Sequence, residues 1–230
     1  MNELKISANK LNKIINAKKV LVITGAGISK ESGIPTFRGE EGLWKKFSPQ
    51  ELASFEGFYK DPALVSEWYQ HRRQIIEDVE PNEGHKALVE LEEFYSEFTI
   101  VTQNVDNLHT QAGSENVIEI HGNIMRNYCI DCGKFFDSQK FNELYSQTEE
   151  HIPKCDDCKG LIRPDVVWFG EQLPEREIKQ SFQKAQNCDL CFSIGTSSKV
   201  RPAADIPMVA DQNGVFIVEI NTDRTPLTLR

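Results

Sequence analysis

The chain has 230 residues, enough for one large or two small domains with a sizeable core. Hydrophobic residues make up 39% and charged residues 27%, which excludes disorder across the whole chain. The net charge of −9 disfavours a general nucleic-acid binder, because such proteins neutralise phosphates with Lys and Arg. The sequence lacks an apolar run of about 18 residues, so we expect no membrane span.

The N-terminal segment is polar and mixed in charge, and it lacks the apolar stretch of a secretory signal. We therefore expect a cytoplasmic protein, whose thiols stay reduced. Six cysteines in such a compartment indicate metal ligands or buried thiols rather than disulfides.

Short apolar runs alternate with amphipathic segments along the chain. The amphipathic segments predict helices over 4–17, 49–80, 85–94 and 174–186 and from about 203. The apolar runs predict strands over 20–24, 98–102, 116–120, 166–169, 190–194 and 215–220. This alternation is typical of an α/β fold, here a parallel sheet with helices on both faces.

A polar, cysteine-rich segment interrupts this alternation between residues 127 and 163. It contains two Cys-x-x-Cys pairs separated by 22 residues, Cys129 with Cys132 and Cys155 with Cys158. Four thiolates at this spacing suit tetrahedral zinc, and four protein ligands leave no open position, so the Zn²⁺ is expected to be structural. Four reduced surface cysteines are the alternative. Cys188 and Cys191 lack a second pair and are expected to be buried thiols.

Glycines and polar side chains follow five of the predicted strands, at residues 25–29, 103–106, 121, 195–198 and 221–223. Ligands of open α/β sheets bind beyond the carboxyl ends of the strands, so these groups can converge on one site. Each group also has a simpler interpretation. Residues 25–27 can form a tight turn, residues 103–107 an exposed Asn/Asp turn, and His121 can be structural.

Taken together and in order, these motifs resemble the sirtuins, NAD-dependent protein-lysine deacylases, over nearly the whole chain. The chain is most similar to class III members that remove succinyl and malonyl groups, and to bacterial deacylases. The motifs are the two cysteine pairs, Gly-Ala-Gly-Ile-Ser (25–29), Gly-Ile-Pro-Thr-Phe-Arg (33–38), Thr-Gln-Asn-Val-Asp-Asn-Leu-His (102–109), His-Gly (121–122), Val-Val-Trp-Phe-Gly-Glu (166–171), Gly-Thr-Ser (195–197) and Glu-Ile-Asn (219–221).

The resemblance implies that NAD is consumed as a co-substrate and assigns its binding residues. These are Gly25, Ala26, Gly27 and Ile28 at the pyrophosphate, Phe37 and Arg38 on a covering loop, Gln103, Asn104, Val105 and Asp106 around the nicotinamide and its ribose, and Gly195, Thr196, Ser197, Asn221, Thr222 and Asp223 at the adenosine. His121 would be the general base, and Asn104 and Asp106 would complete the catalytic set.

The implied reaction transfers an acyl group from lysine to ADP-ribose. The amide oxygen of the acyl-lysine would attack C1′ of the nicotinamide ribose, and His121 would take a ribose hydroxyl proton. The products are nicotinamide, free lysine and O-acyl-ADP-ribose. The apolar strand predicted at 166–169 would pair with the substrate backbone, so Val167, Trp168, Phe169 and Gly170 are assigned to substrate binding.

The acyl preference follows from the segment Trp-Tyr-Gln-His-Arg-Arg at 68–73. Tyr69 and Arg72 are three residues apart, so they share one face of a helix. Family members with Tyr-x-x-Arg in the acyl pocket remove succinyl, malonyl or glutaryl groups. Arg can grip a terminal carboxylate in bidentate fashion. We predict desuccinylation or demalonylation, with deacetylation as a second activity; a solvated amphipathic helix is the alternative.

The organisation that the resemblance implies is a Rossmann-like NAD-binding domain of residues 1–38, 81–124 and 166–230. A small domain of residues 39–80 and 125–165 combines a helical insertion with the four-cysteine zinc module. We expect a monomer whose partners are acyl-lysine proteins, with neither nucleic acid nor membrane bound. Two other functions stay open. One is an NAD-dependent protein ADP-ribosyltransferase, and the other is a non-catalytic module that binds NAD or ADP-ribose and carries zinc.

Overall fold

The structure is a computed structural model that describes residues 6–37, 42–148 and 152–229. The described residues form eight strands, in chain order β1 (Lys19–Thr24), β2 (Glu97–Thr102), β3 (Val117–Glu119), β4 (Gly122–Cys129), β5 (Phe135–Phe136), β6 (Ile162–Val166), β7 (Leu190–Ile194) and β8 (Phe216–Ile220). They also form nine α-helices, in chain order α1 (Ala8–Ile15), α2 (Pro49–Leu52), α3 (Phe55–Lys60), α4 (Pro62–Glu77), α5 (Glu83–Phe94), α6 (Leu108–Ala112), α7 (Ser138–Ser146), α8 (Glu175–Asn187) and α9 (Asp205–Gln212).

The segment predicted to be helical over 49–80 contains three helices, α2, α3 and α4. Ser54 and Asp61 are the N-caps of α3 and α4, and each side chain accepts a hydrogen bond from the first turn of its helix. Pro49 and Pro62 occupy first-turn positions, where a missing N–H is tolerated. Capping residues therefore divided a continuous amphipathic pattern.

The main sheet is parallel, with the strand order β3-β2-β1-β7-β8. Side chains of β1 alternate between its two faces. Val20 and Val22 pack in a core with α5, whereas Leu21 and Ile23 pack in a second core with α8 and α9. The predicted α/β fold, with a parallel sheet flanked by helices on both faces, is confirmed.

The strand order reverses between β1 and β7, which lie side by side at the centre of the sheet. From β1 the chain moves outward to β2 and β3, and from β7 it moves outward to β8. The helices that follow such neighbouring strands lie on opposite faces, which leaves a crevice at the carboxyl ends. The turns after β1 and β7 are thus placed to bind a ligand.

A second sheet, antiparallel and with the order β5-β4-β6, forms the smaller unit together with α7. Its central strand, β4, begins at Gly122 and so crosses the predicted domain boundary at 124/125; the domain limits stay a prediction. Gly122 has φ +78, and a Cβ there would lie 2.1 Å from the Asp165 carbonyl oxygen, so the close turn between the sheets requires glycine.

The strand predicted over 166–169 is wrong in its limits, because β6 ends at Val166. The next three backbone N–H groups donate to three separate parts of the chain instead of to a neighbouring strand. Val167 donates to the His121 carbonyl, Trp168 to the Glu171 carboxylate and Phe169 to the Ala53 carbonyl. A turn closed by Glu171 therefore replaces the expected strand. None of the described helices is long and apolar enough to cross a membrane.

Candidate active site

A cleft of about 1720 Å³ opens between the carboxyl ends of the main sheet and the smaller unit. It is lined by nearly all the residues that the sequence singled out, although they come from distant parts of the chain. Those residues are Gly25–Ile28, Phe37, Tyr69, Arg72, Gln103–Val105, His121, Val167–Gly170, Gly195–Ser197 and Asn221–Asp223. The predicted convergence of five strand ends is confirmed. Arg38 lies outside the described residues.

One side of the cleft, which we call the nucleotide wall, consists of residues 25–29, 103–106, 195–198 and 221–223. Its two glycine turns touch through their backbones. The N–H of Gly27 donates to the Gly195 carbonyl at 2.8 Å, and a Cβ on Gly27 would lie 2.7 Å from Gly195. The Thr196 carbonyl accepts a hydrogen bond from Asn221, and the Thr196 hydroxyl accepts one from Gln103.

Beneath this surface, Ser29 connects the first turn to the segment after β2. Its hydroxyl donates to the Asp106 carboxylate at 2.7 Å and accepts from the Asn104 amide at 3.0 Å. Asp106 is buried, also accepts from the Leu108 N–H, and is not among the described residues that line the cleft. Burial raises the pKa of this carboxyl, opposed by the hydrogen bonds from Ser29 and Leu108. Its predicted contact with a carboxamide stays a prediction.

Two further histidines lie behind the nucleotide wall, and the sequence analysis gave them no role. The rings of His85 and His109 are 5.0 Å apart, and both side chains are buried. His109 bonds to the Thr24 hydroxyl at 2.9 Å. Burial lowers the pKa of His85 to about 4, and burial together with His85 lowers the pKa of His109 to about 3. Both rings are therefore neutral at pH 7.

His121 lies at the junction of the two sheets, between β3 and β4, and lines the cleft. Its Nδ1 is 3.0 Å from the main-chain oxygen of Gln103. Because a carbonyl oxygen only accepts, Nδ1 carries the proton and Nε2 keeps its lone pair. Burial lowers the pKa of His121, opposed by the bond to Gln103. The ring is thus neutral at pH 7, and Nε2 can accept a proton.

The opposite side, which we call the acyl wall, consists of Phe37, Trp68, Tyr69, Arg72 and Trp168. Tyr69 and Arg72 are one turn apart on α4, as predicted, and both are buried. The Tyr69 hydroxyl accepts a hydrogen bond from Trp168 Nε1 at 2.9 Å. Burial raises the pKa of Tyr69 to about 12, so the hydroxyl keeps its own proton available for donation.

Arg72 has aromatic neighbours and lacks a polar partner. The side chain is 6% exposed, and its guanidinium carbon lies 4.8 Å from the Phe37 ring centroid and 5.3 Å from the Trp68 ring centroid. Within residues 6–37, 42–148 and 152–229 it forms neither a hydrogen bond nor an ion pair. Burial lowers the pKa of Arg72, while electrostatic interaction with Tyr69 and Asp106 opposes this shift.

The four predicted zinc ligands lie together at the far end of the smaller unit. The Sγ–Sγ distances are 3.4 Å for Cys129–Cys158 and 3.7 Å for Cys132–Cys155, and all four atoms lie within 4.8 Å of one another. Zinc–sulfur bonds of about 2.3 Å require tetrahedron edges of about 3.8 Å, so the cluster fits Zn²⁺. Cys191 is buried in the main sheet, as expected, whereas Cys188 precedes β7 and is only half-buried.

Comparison with known proteins identifies the family. The Sir2 family model matches residues 25–202. An NAD-dependent protein deacylase of Aquifex aeolicus (strain VF5) is 49% identical over 212 residues, 91% of this chain and 85% of that protein. The chain belongs to the Sir2 family. A second Sir2 relative, an NAD-dependent protein deacylase of Pyrococcus abyssi (strain GE5 / Orsay), is 44% identical over 94% of this chain and 86% of its own.

Solved Sir2 structures agree with this fold. A Sir2 homologue mutant in complex with ADP-ribose has a TM-score of 0.91 and 41% identity, covering 97% of this chain and 88% of its own. A Sir2 complex with a p53 peptide and NAD⁺ has a TM-score of 0.87 and 33% identity, covering 96% and 88%. The resemblance to sirtuins that the motifs indicated is confirmed.

Several residues that line the cleft of this Sir2 protein had no role in the sequence analysis, among them Trp44, Ala53 and Trp68. Trp68 is four residues before Arg72 on α4, so helical spacing could have placed it beside that arginine. Trp44 lies in the short 3₁₀ turn Leu43–Lys45 and stacks on both Phe37 and Trp68. Neither Trp44 nor Ala53 carries a sequence signal for this position.

Proposed function

We propose that the protein is an NAD-dependent protein-lysine deacylase that prefers lysines carrying negatively charged acyl groups, succinyl or malonyl, with deacetylation as a second activity. The observation that carries the acyl preference is Arg72, a buried guanidinium that lines the cleft without a polar partner among the described residues. Family membership and the curated relatives named NAD-dependent protein deacylase support the reaction itself.

An unpartnered buried charge is costly, because the group has lost its water without gaining hydrogen bonds. A terminal carboxylate on the acyl chain would provide the missing partner for Arg72, and its two oxygens match the guanidinium fork. The Tyr69 hydroxyl, one helical turn away, would add a third donor. An acetyl group offers no charge, so it would leave Arg72 without a polar partner. This contrast supports the preference for acidic acyl groups.

The nucleotide wall fits a dinucleotide. The backbones of two glycine turns border the cleft where the strand order reverses, and the Ala26 N–H has no partner among the described residues. Such a free amide beside a glycine turn suits a pyrophosphate. Structures of Sir2 homologues in complex with ADP-ribose and with NAD support NAD as the co-substrate. NAD would supply the electrophilic ribose carbon and nicotinamide as the leaving group.

The residues of this chain would then position the reactants and move one proton. His121 Nε2 would accept the proton of a ribose hydroxyl, because Nδ1 is already committed to Gln103. Asn104 and Val105 line the cleft nearby and would hold the nicotinamide ribose and nicotinamide. The aromatic side chains of Phe37, Trp44 and Trp68 would exclude water from the amide oxygen, which is a weak nucleophile. The four cysteines would hold a structural Zn²⁺ that stabilises β4, β5 and β6.

The substrate backbone would bind along residues 167–170. The N–H groups of Val167 and Phe169 are already used within the protein, so pairing would rely on the Gly170 N–H and on carbonyl groups of this segment. Acyl-lysine proteins are the proposed partners, supported by the Sir2 complex with a p53 peptide. We also propose a cytoplasmic location, since a thiolate zinc site requires reduced cysteines. The monomeric state and the lack of nucleic-acid binding stay predictions.

The test is a mass-spectrometric assay on matched acetyl-lysine and succinyl-lysine peptides, with and without NAD. The enzymes are the wild type, Arg72→Met and the control Arg176→Met, which removes an exposed arginine from α8. We expect Arg72→Met to lower kcat/KM for the succinyl peptide about 100-fold and to leave deacetylation within about threefold, because one bidentate charge-assisted contact is lost. Arg176→Met should match the wild type.

Other results of this assay would distinguish the proposed function from its alternatives. Deacetylation alone, insensitive to Arg72→Met, would keep the deacylase function and refute the acyl preference. Radiolabelled protein in place of O-acyl-ADP-ribose would favour the ADP-ribosyltransferase. NAD binding without turnover of either peptide would favour the non-catalytic module.

A further inference from the structure

A buried ion pair lies behind the segment that is proposed to bind the substrate, and neither family membership nor the sequence motifs gave it a role. The Arg163 side chain is 0% exposed, and its guanidinium lies 3.0 Å from the Glu171 carboxylate. Glu171 is not fully withdrawn from solvent, with 23% of its side chain exposed at the edge of the cleft. The pair therefore connects the interior of the smaller unit to the cleft surface.

Each partner of this pair holds a different part of residue 168. The Glu171 carboxylate accepts the Trp168 N–H at 2.8 Å, and the Glu171 N–H donates to the Trp168 carbonyl at 3.0 Å. The Arg163 guanidinium carbon lies 3.4 Å from the Trp168 ring centroid, the closest cation–π contact among the described residues. Backbone and ring of Trp168 are thus fixed by one ion pair.

Trp168 transmits this constraint to the acyl wall. Its Nε1–H donates to the Tyr69 hydroxyl, and because an indole N–H cannot accept, the Tyr69 O–H proton is left for another partner. Rotation of the Trp168 ring would release Tyr69 and change which groups face Arg72. Arg163 itself is held from its other sides by the Phe55 and Tyr128 rings and by the Val166 carbonyl.

From these contacts we infer that Arg163 and Glu171 are positioning residues that set both peptide affinity and acyl selectivity, acting through Trp168 on residues 168–170 and on Tyr69. The inference deepens the proposed function and rests on it. Neither residue moves a proton or holds NAD in this scheme. Weakening the pair should therefore raise KM for the peptide substrate and lower the succinyl-to-acetyl preference, while KM for NAD stays constant.

The test uses Glu171→Gln, which keeps a carbonyl oxygen for the Trp168 N–H and removes the charge that holds Arg163. We expect KM for both acyl peptides to rise about tenfold and the succinyl-to-acetyl ratio of kcat/KM to fall about threefold. KM for NAD, and kcat at saturating peptide, should stay within twofold of the wild type. The control is Glu175→Gln, an exposed glutamate at the start of α8, which should match the wild type.

Arg163→Lys is the second variant, because it keeps the charge and loses the planar surface and the fork. It should show the same KM split at a smaller size, and NAD binding measured by titration reports whether it is folded. A general loss of kcat with unchanged peptide KM, or equal rises in KM for peptide and NAD, would overturn the inference. A peptide KM within twofold of the wild type for Glu171→Gln would overturn it as well.

Both acyl peptides are measured so that this inference and the proposed function can fail separately. If the wild type shows no succinyl preference, the proposed acyl specificity fails, and the peptide KM shift is still read on the acetyl peptide. If the wild type shows the preference and Glu171→Gln retains it, the positioning role fails alone.

Discussion

The two walls of the cleft differ in whether their polar side chains have hydrogen-bond partners within the protein. On the nucleotide wall, Ser29, Asn104 and Asp106 bond to one another, and Gln103 and Asn221 bond to Thr196. On the acyl wall, Arg72 is surrounded by rings and has no polar partner in the described part of the chain. The polar groups of the first wall are therefore already paired within the protein, whereas the second wall has a charge that the carboxylate of the proposed acyl group would pair.

This difference separates affinity from selectivity. Binding to a preorganised wall costs little free energy for ordering side chains, so such a wall suits a co-substrate that takes part in every turnover. A wall with one unpaired charge rewards a ligand of opposite charge and discriminates against a neutral one. Residues 68–73 contain both kinds of environment, because each of the three guanidinium nitrogens of Arg73, next to Arg72, forms a hydrogen bond. Arg73 donates to the Ile124 carbonyl and to the Gln70 and Asn127 side chains.

The largest effect is expected where the two walls meet. His121→Ala removes the only group assigned to proton transfer, and general acid–base catalysis typically contributes about 10² to 10⁴ in rate. We expect kcat to fall about 1,000-fold for acetyl and succinyl peptides alike, with the NAD dissociation constant within twofold of the wild type. Quenched-flow kinetics measure kcat, and an NAD titration measures the dissociation constant. A selective loss on one peptide would contradict the assignment.

The next largest effect is a loss of stability on substitution of Arg73, the hydrogen-bonded arginine. Arg73→Met leaves the Ile124 carbonyl and the Asn127 amide oxygen buried without their donor, at about 1–3 kcal/mol each. We expect the free energy of unfolding in urea to fall by about 3 kcal/mol, with the succinyl-to-acetyl ratio of the folded enzyme unchanged. Arg176→Met is the control and should unfold like the wild type. A changed ratio without a change in stability would reverse the roles of the two arginines.

The features that the sequence predicted are those with local or periodic signals. Apolar runs located the five strands of the main sheet, and Cys-x-x-Cys spacing located the zinc ligands, because both depend on neighbours in the chain. The strand expected over 166–169 failed because hydrophobicity does not reveal that Glu171 captures the Trp168 N–H. The helical segment expected over 49–80 is confirmed, but its division into three helices was not predictable from periodicity, since Ser54 and Asp61 begin new helices through side-chain bonds.

Within the site, the sequence predicted which residues take part, but not which side chains they contact. Helical spacing put Tyr69 and Arg72 on one face, yet it could not show that Trp168, 99 positions away, occupies the Tyr69 oxygen. It also could not distinguish Arg72 from Arg73, which differ only in what the folded chain places around them. Asp106 is similar: its motif assigned it to the cleft, and the structure buries it against Ser29.

A smaller effect per residue is expected from pH, at the two histidines behind the nucleotide wall. His85 and His109 have folded-state pKa values of about 4 and about 3, below the ordinary value of 6.5. The unfolded chain therefore binds these protons first as pH falls, so stability is full above pH 6.5 and declines below it. The decline is about 1.4 kcal/mol per pH unit for each histidine until the folded-state pKa is reached.

Urea unfolding between pH 7 and pH 5 measures this decline. His85→Gln should reduce the slope by the contribution of one histidine. His71→Gln, which removes an exposed histidine of α4, should leave the slope unchanged. A slope insensitive to His85→Gln would show that the acid sensitivity lies elsewhere in the molecule.

The smallest expected effect tests the acyl wall most directly. Arg72→Met replaces a buried, unpartnered charge by an apolar chain of similar length, and such exchanges are neutral or stabilising in protein interiors. We expect the free energy of unfolding, measured in urea without NAD, to change by less than about 0.5 kcal/mol or to rise. A loss near the 3 kcal/mol expected for Arg73→Met would mean that Arg72 has a structural partner. If Arg72→Met is as stable as the wild type but has lost desuccinylation, Arg72 contributes to binding of the acyl group and not to folding.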